Sequence, residues 1–154
     1  MSKDSDVRFT PQHVLNVVRE FDEIVCDPCT VASNPAGANL FYTEADNGLV
    51  QPWGGGLTFV NNPYSRGQIF PWAEKCALEA KIGLEIIQLI PADMSTIYTK
   101  FLFGKANAVA FWDKRIVFDG SNGAKFGSAF WYFGDRQGRF KRVFEPHATV
   151  LFLR

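Results

Sequence analysis

Apolar positions along this chain keep two different rhythms. Behind Thr10-Pro11, the residues Val14, Leu15, Val17, Val18 and Phe21 recur at helical spacing. Threonine can cap a helix and proline is tolerated in the first turn, so a helix is predicted to begin there. Phe70, Ala73, Ala77 and Ala80 repeat the pattern across Gln68 to Ile82, and Ser95 is expected to cap a further helix through Phe103. Short apolar runs alternate with these helices. Glu23 to Cys26 reads as a strand with Asp27 at its carboxyl end, and Leu57 to Val60 as another, preceded by the Gly54 to Gly56 break. Leu84 to Ile90 is continuous enough for a parallel strand covered on both faces. Asn34 to Asn39 reads as a loop, either disordered or ordered by a ligand.

After Phe103 the helical spacing gives way to strands. Ala108 to Trp112, Arg115 to Phe118, Ser128 to Phe133 and Ala148 to Leu153 are joined by short polar connections. Short turns do not make parallel crossovers, so some of these strands pair antiparallel. The prediction is an α/β sandwich whose mixed sheet becomes antiparallel towards the C-terminus. A single domain over residues 1–154 is expected, with Met1 to Asp6 frayed.

Composition narrows the function. Sixteen basic and sixteen acidic residues cancel to a formal charge of zero, which disfavours a tight non-specific DNA binder. A local basic patch remains possible, and D-R-Q-G-R-F-K-R gathers Arg136, Arg139, Lys141 and Arg142 at an expected hairpin turn. That segment reads either as a soluble tip or as a DNA contact. No apolar leader or spanning segment is visible, so neither secretion nor membrane insertion is indicated. Cys26 and Cys29 form a C-x-x-C, but the remaining Cys76, His13 and His147 have no metal-ligand spacing. Reduced, partly buried thiols are the expectation, with no metal.

The candidate chemistry lies at Phe59 to Ser65, F-V-N-N-P-Y-S, where an apolar strand runs into a proline-stiffened aromatic turn. An exocyclic adenine amine is a poor nucleophile because its lone pair is delocalised into the ring. Two hydrogen-bond acceptors on its N–H groups draw it towards a tetrahedral, reactive state. The Asn61 side-chain oxygen and the Asn62 backbone carbonyl suit those roles, Tyr64 suits stacking on a base, and Pro63 stiffens the turn. The same residues also read as an ordinary strand end with an Asn/Pro turn.

Other motifs surround this one in a fixed order: F-T-P at Phe9 to Pro11, D-P-C-T at Asp27 to Thr30 and Y-T-E-A-D-N-G-L at Tyr42 to Leu49. P-W-A-E-K-C near Trp72, Q-L-I-P-A at Gln88 to Ala92 and R-I-V-F at Arg115 to Phe118 complete the set. The series, spanning about Arg8 to Phe118, resembles the phage-type DNA N6-adenine methyltransferases, the small Dam-like enzymes of phages and prophages. That family usually has N-P-P-Y, whereas Asn62 here replaces the first proline, giving up a fixed φ and adding an N–H. Replacing Asn62 by proline is therefore expected to raise the rate if rigidity limits it.

The resemblance implies a Rossmann-like class I methyltransferase fold and S-adenosyl-L-methionine as donor, with no metal. It implies that Phe9, Thr10, Pro11, Asp27 and Pro28 surround the methionine end, and that Asp46 or Asn47 meets the adenosine. D-N-G is equally a plain turn. The glycine-rich donor loop of many class I enzymes is absent after Asp27. DNA is the implied partner, with Ser65 and Arg66 beside the base and Arg66 on a phosphate; a solvated helix-start arginine is the alternative. The implied setting is the cytoplasm of a bacterial host, and the implied role is protection of phage or prophage DNA from restriction. Two alternatives stay open: a catalytically impaired anti-restriction protein that binds donor or DNA, and a protein-glutamine N-methyltransferase.

Overall fold

The computed structural model describes residues 9–118 and 125–154. The expectation for Met1 to Asp6 falls outside them. Four helices, α1 (Gln12–Phe21), α2 (Ile69–Lys81), α3 (Ile97–Lys105) and α4 (Gln137–Phe144), flank one sheet among the described residues. Its strands are β1 (Ile24–Thr30), β2 (Leu40–Thr43), β3 (Leu57–Val60), β4 (Glu85–Pro91), β5 (Ala108–Trp112), β6 (Ser128–Phe133) and β7 (Ala148–Phe152). They lie in the order β2-β1-β3-β4-β6-β5-β7. The first four are mutually parallel, β6 runs antiparallel to both β4 and β5, and β7 runs antiparallel to β5. This mixed α/β sheet is compatible with the Rossmann-like methyltransferase fold.

Period-two alternation divides the core. Ile87 and Leu89 of β4 join Phe130 and Tyr132 of β6 beneath α1 and α4. Ile86 and Ile90 join Ala129, Trp131 and Phe133 beneath α2 and α3. The apolar run of β4 thus feeds both layers, as its lack of alternation predicts. Gln88, facing the α2 layer between Ile86 and Ile90, is fully buried.

Several local expectations need correction. β1 continues through Asp27 to Thr30, with a register shift between those two residues. Asp27 and Pro28 therefore sit within an irregular strand rather than a loop. In α2 the buried face is Ile69, Trp72, Ala73 and Cys76, because the bulky Trp72 takes the core position. Thr96, not Ser95, caps α3, its side chain accepting from the Thr99 N–H. Arg115 to Phe118 pairs with no strand among the described residues, although Ile116 and Phe118 are buried. Its alternation follows packing of every second side chain without a ladder. The Asn34 to Asn39 loop is held by the chain itself: Arg19 Nη2 donates to the Ala36 carbonyl at 2.7 Å, and Asn34 bonds both backbone groups of Ala38.

Candidate functional site at the carboxyl ends of the parallel strands

Ligands of open α/β sheets gather beyond the carboxyl ends of the strands, and here β1, β2 and β3 end around one cleft of about 980 Å³. Phe9, Thr10, Asp27, Pro28, Asn47, Asn61 and Pro63 all line it, so residues far apart in sequence meet there. Pro11 precedes α1 and is buried next to Thr10.

Asn61 follows the last residue of β3, and its amide is oriented by two neighbours. Its Nδ2 donates to Thr10 Oγ1 at 2.9 Å, while its Oδ1 accepts from the Tyr64 hydroxyl at 2.6 Å. The Tyr64 hydroxyl also lies 3.2 Å from the Leu89 carbonyl. The Tyr64 ring meets Phe118 and Phe126 edge-on, with centroids 6.0 and 5.6 Å away. Phe118 of the R-I-V-F motif thus acts as a wall for the turn.

Asn62 is only 2 % exposed. Gln88 Nε2 donates to its Oδ1 at 2.9 Å, and Asn62 Nδ2 donates to the Pro63 carbonyl at 2.9 Å. Where the resembling family has a rigid ring, this chain has a side chain fastened at both ends.

Asp27 is 6 % exposed and faces the cleft. Burial pushes its carboxyl up to about 7, against partial relief from the Cys29 N–H and the Thr30 side chain. Among the described residues no cation pairs with it. A buried carboxyl left without a counter-charge fits a cationic ligand group.

The D-N-G turn splits the paired expectation for Asp46 and Asn47. Asp46 does not line the cleft; its carboxylate accepts from the Thr43 N–H and hydroxyl, boxing the turn Glu44–Asp46. Asn47 does line it, in a left-handed conformation at φ 57°, with Oδ1 accepting from the Leu49 N–H. A Cβ on Gly48 would lie 1.9 Å from the Pro28 carbonyl oxygen, so only glycine lets this turn rest on β1. Trp53 Nε1 bonds the Gly48 carbonyl at 2.9 Å and stacks on Trp72, another lining residue.

Glu44, Gln68 and Trp72 also line the cleft; Glu44 and Trp72 lie within motifs quoted above without a site role, and Gln68 lies in none. Glu44 carried a usable signal, being an acid immediately after the carboxyl end of a parallel strand. Trp72 had only its place in P-W-A-E-K-C and Gln68 had none, since both reach the cleft through the placement of α2. No disulfide joins Cys26, Cys29 and Cys76, and burial pushes the Cys26 thiol up to about 12.

A family model for DNA N-6-adenine-methyltransferase (Dam) matches residues 1–129 of the 154-residue chain. The chain belongs to the Dam family. No curated protein matches it by sequence. Membership implies DNA adenine methyltransferase activity, DNA as substrate and S-adenosylmethionine as methyl donor. No helix among the described residues is long and apolar enough to cross a membrane.

The Dam assignment makes the basic residues worth locating. Ser65 and Arg66 follow the Asn61–Tyr64 turn, and Arg66 is exposed. The other expected cluster is not a hairpin tip; Arg136 precedes α4, and Arg139, Lys141 and Arg142 lie within it. Arg136 bonds Glu85 and Asp22, while Arg139 donates to the carbonyls of Phe21 and Glu20 at the end of α1. Glu85 begins β4, whereas the Asn61 turn lies beside its later residues. These arginines therefore tie α1, α4 and the sheet together at the end remote from Asn61. A DNA contact is a poor assignment for two guanidinium groups so committed. Lys141 lies over the Phe152 ring, and Arg142 is exposed.

Proposed function

We propose that the chain transfers a methyl group from S-adenosylmethionine to the N6 amine of an adenine rotated out of DNA. The observation that carries this reading is the Asn61 amide, fixed by Thr10 so that its oxygen stands at the edge of a cleft containing an unpaired, buried carboxyl. When bound, the donor supplies a sulfonium methyl group open to direct displacement. Asp27 complements its positive charge, and Glu44 and Asn47 are placed for its ribose and adenine end.

Asn61 Oδ1 and the Asn62 carbonyl accept the two N–H groups of the target amine. An amide oxygen is a weak base, so both acceptors polarise the amine without taking its proton. The lone pair is thereby freed from the ring. As the nitrogen bonds the methyl carbon, the carbon–sulfur bond would break to leave a neutral thioether. The methylated nitrogen would then lose its surplus proton to solvent. The amine must replace the Tyr64 hydroxyl on Asn61 Oδ1, exchanging one hydrogen bond for another at little net cost. The released Tyr64 then offers its ring for stacking. A stacked base cannot reach this position, which requires flipping.

Nucleoside mass spectrometry of plasmid DNA from expressing cells tests the reading. N6-methyladenine is expected with the wild type and absent with Asn61→Ala. Wild-type DNA without the mark, from a protein that binds donor, would refute DNA modification. Resistance of the same plasmid to methyl-sensitive restriction enzymes tests the protective role.

A further inference from the structure

A second cleft, of about 730 Å³, begins where the first one stops. Asn61 and Pro63 line the first; Tyr64 and Ser65 line the second, and among the described residues none lines both. The catalytic turn therefore passes between two cavities. Arg66, Arg115 and Lys125 line the second cleft, and all three are exposed. They come from the residue after the Asn61–Ser65 turn, from the segment after β5 and from the approach to β6. The Ala92 N–H closes the wall by donating to the Gly127 carbonyl at 2.9 Å.

Charge sets this cleft apart from a protein with no net charge. Among the described residues the acid on its wall is Asp93, whose carboxylate accepts from the Ser95 N–H at 3.0 Å and hydroxyl at 2.7 Å. Among the described lining residues, three cations against one internally satisfied carboxylate make a concave surface that attracts anions. Three separate chain segments supplying the cations make a solvated charge run an inadequate account.

We propose that this cleft holds the DNA strand beside the flipped nucleotide, with Arg66, Arg115 and Lys125 contacting backbone phosphates. The inference rests on the methyltransferase reading and adds the surface that delivers the base. Tyr64 connects the two, because its ring lines the cleft while its hydroxyl bonds Asn61. A strand lying here presents its base to Asn61 from the side away from Asp27. Phosphate contacts of this kind fix register without reading sequence.

Affinity for a fluorescent duplex, measured against salt concentration, tests the proposal. The full chain is compared with Arg115→Gln/Lys125→Gln, with each single substitution, and with Lys141→Gln/Arg142→Gln. Each lost phosphate contact lowers the slope of log affinity against log salt by about 0.9 and weakens binding roughly eightfold at 0.1 M salt. The first pair is expected to lower the slope by about 1.8 and affinity roughly 60-fold. Lys141→Gln/Arg142→Gln is expected to change neither. Calorimetric donor binding should be normal in every variant; if the double variant loses it, the single substitutions carry the test. An unchanged slope in variants that bind donor, alongside wild-type plasmid methylation, overturns this cleft assignment alone. A wild type that neither binds nor methylates DNA overturns the parent reading as well.

Discussion

Gln88 Nε2 donates to Asn62 Oδ1 at 2.9 Å in a fully buried position. This bond replaces covalent stiffness with a latch between β4 and the Asn61–Tyr64 turn. It also reverses a simple expectation from the sequence. Proline at position 62 would leave the Gln88 amide without its acceptor, at a cost of about 1–3 kcal/mol for a buried polar group.

Asn62→Pro alone is therefore expected to lower both stability and turnover. Asn62→Pro combined with Gln88→Leu removes the orphaned amide and is expected to recover most of the loss. Denaturant unfolding and kcat across the double-mutant cycle measure the coupling. Additive losses would show that the latch does not hold the turn.

Thr10 aims Asn61 by accepting from its Nδ2. Thr10→Val keeps the shape and removes the acceptor, so the amide is free to turn its oxygen away. A loss of roughly 10–100-fold in kcat is expected, since small misplacements of reacting groups are costly. Donor affinity should change much less. Equal falls in kcat and donor affinity would place Thr10 in donor binding instead.

On the proposed reading, Asp27 makes donor binding depend on pH. Its carboxyl is raised from 3.8 to about 7 by burial, so the anion that attracts a cation accumulates as pH rises through 7. Donor affinity is expected to climb from pH 6 to pH 8. Asp27→Asn should flatten that rise and weaken binding about 10–100-fold at pH 8, the worth of one charged hydrogen bond. Stability moves the opposite way. A raised acid holds its proton longer folded than unfolded, so its contribution is complete below about pH 4 and is lost as pH climbs through about 7. Asp27→Asn is expected to be the more stable protein at pH 8, as thermal unfolding will show.

Arg136 serves the fold at the opposite end of the sheet. Its guanidinium bonds Asp22 and Glu85, and Glu85 also accepts from Tyr132. Arg136 is 39 % exposed, so solvent screening limits the gain. Arg136→Ala is expected to cost about 1–2 kcal/mol in urea unfolding while leaving the salt slope of DNA binding intact. A reduced slope would return Arg136 to the DNA surface.

Legibility in the sequence followed the range of each signal. β3, β5 and β6 fall where their apolar runs lie, because those runs are bounded by turn residues or a change of charge. The Asn61 turn was legible because strand end, amide, proline and aromatic ring are contiguous. Alternation misled at Arg115 to Phe118, where burial of Ile116 and Phe118 supplies the pattern without strand pairing. D-R-Q-G-R-F-K-R looked like a turn because of its charge and glycine, yet Phe140 and Phe144, four residues apart, pack as one helical face. The Gln88 latch, the Thr10 bond and the second cleft join distant segments, and no local pattern announces them.

The placement of the Asn61–Ser65 turn between two separate cavities bears on kinetics. With the donor in the first cavity and the DNA strand in the second, as proposed, neither substrate has to pass through the berth of the other, so both can come and go independently. Initial-rate patterns are then expected to be sequential with random addition, and a spent donor can be exchanged while the polymer stays engaged. Such an enzyme can modify several sites in one encounter.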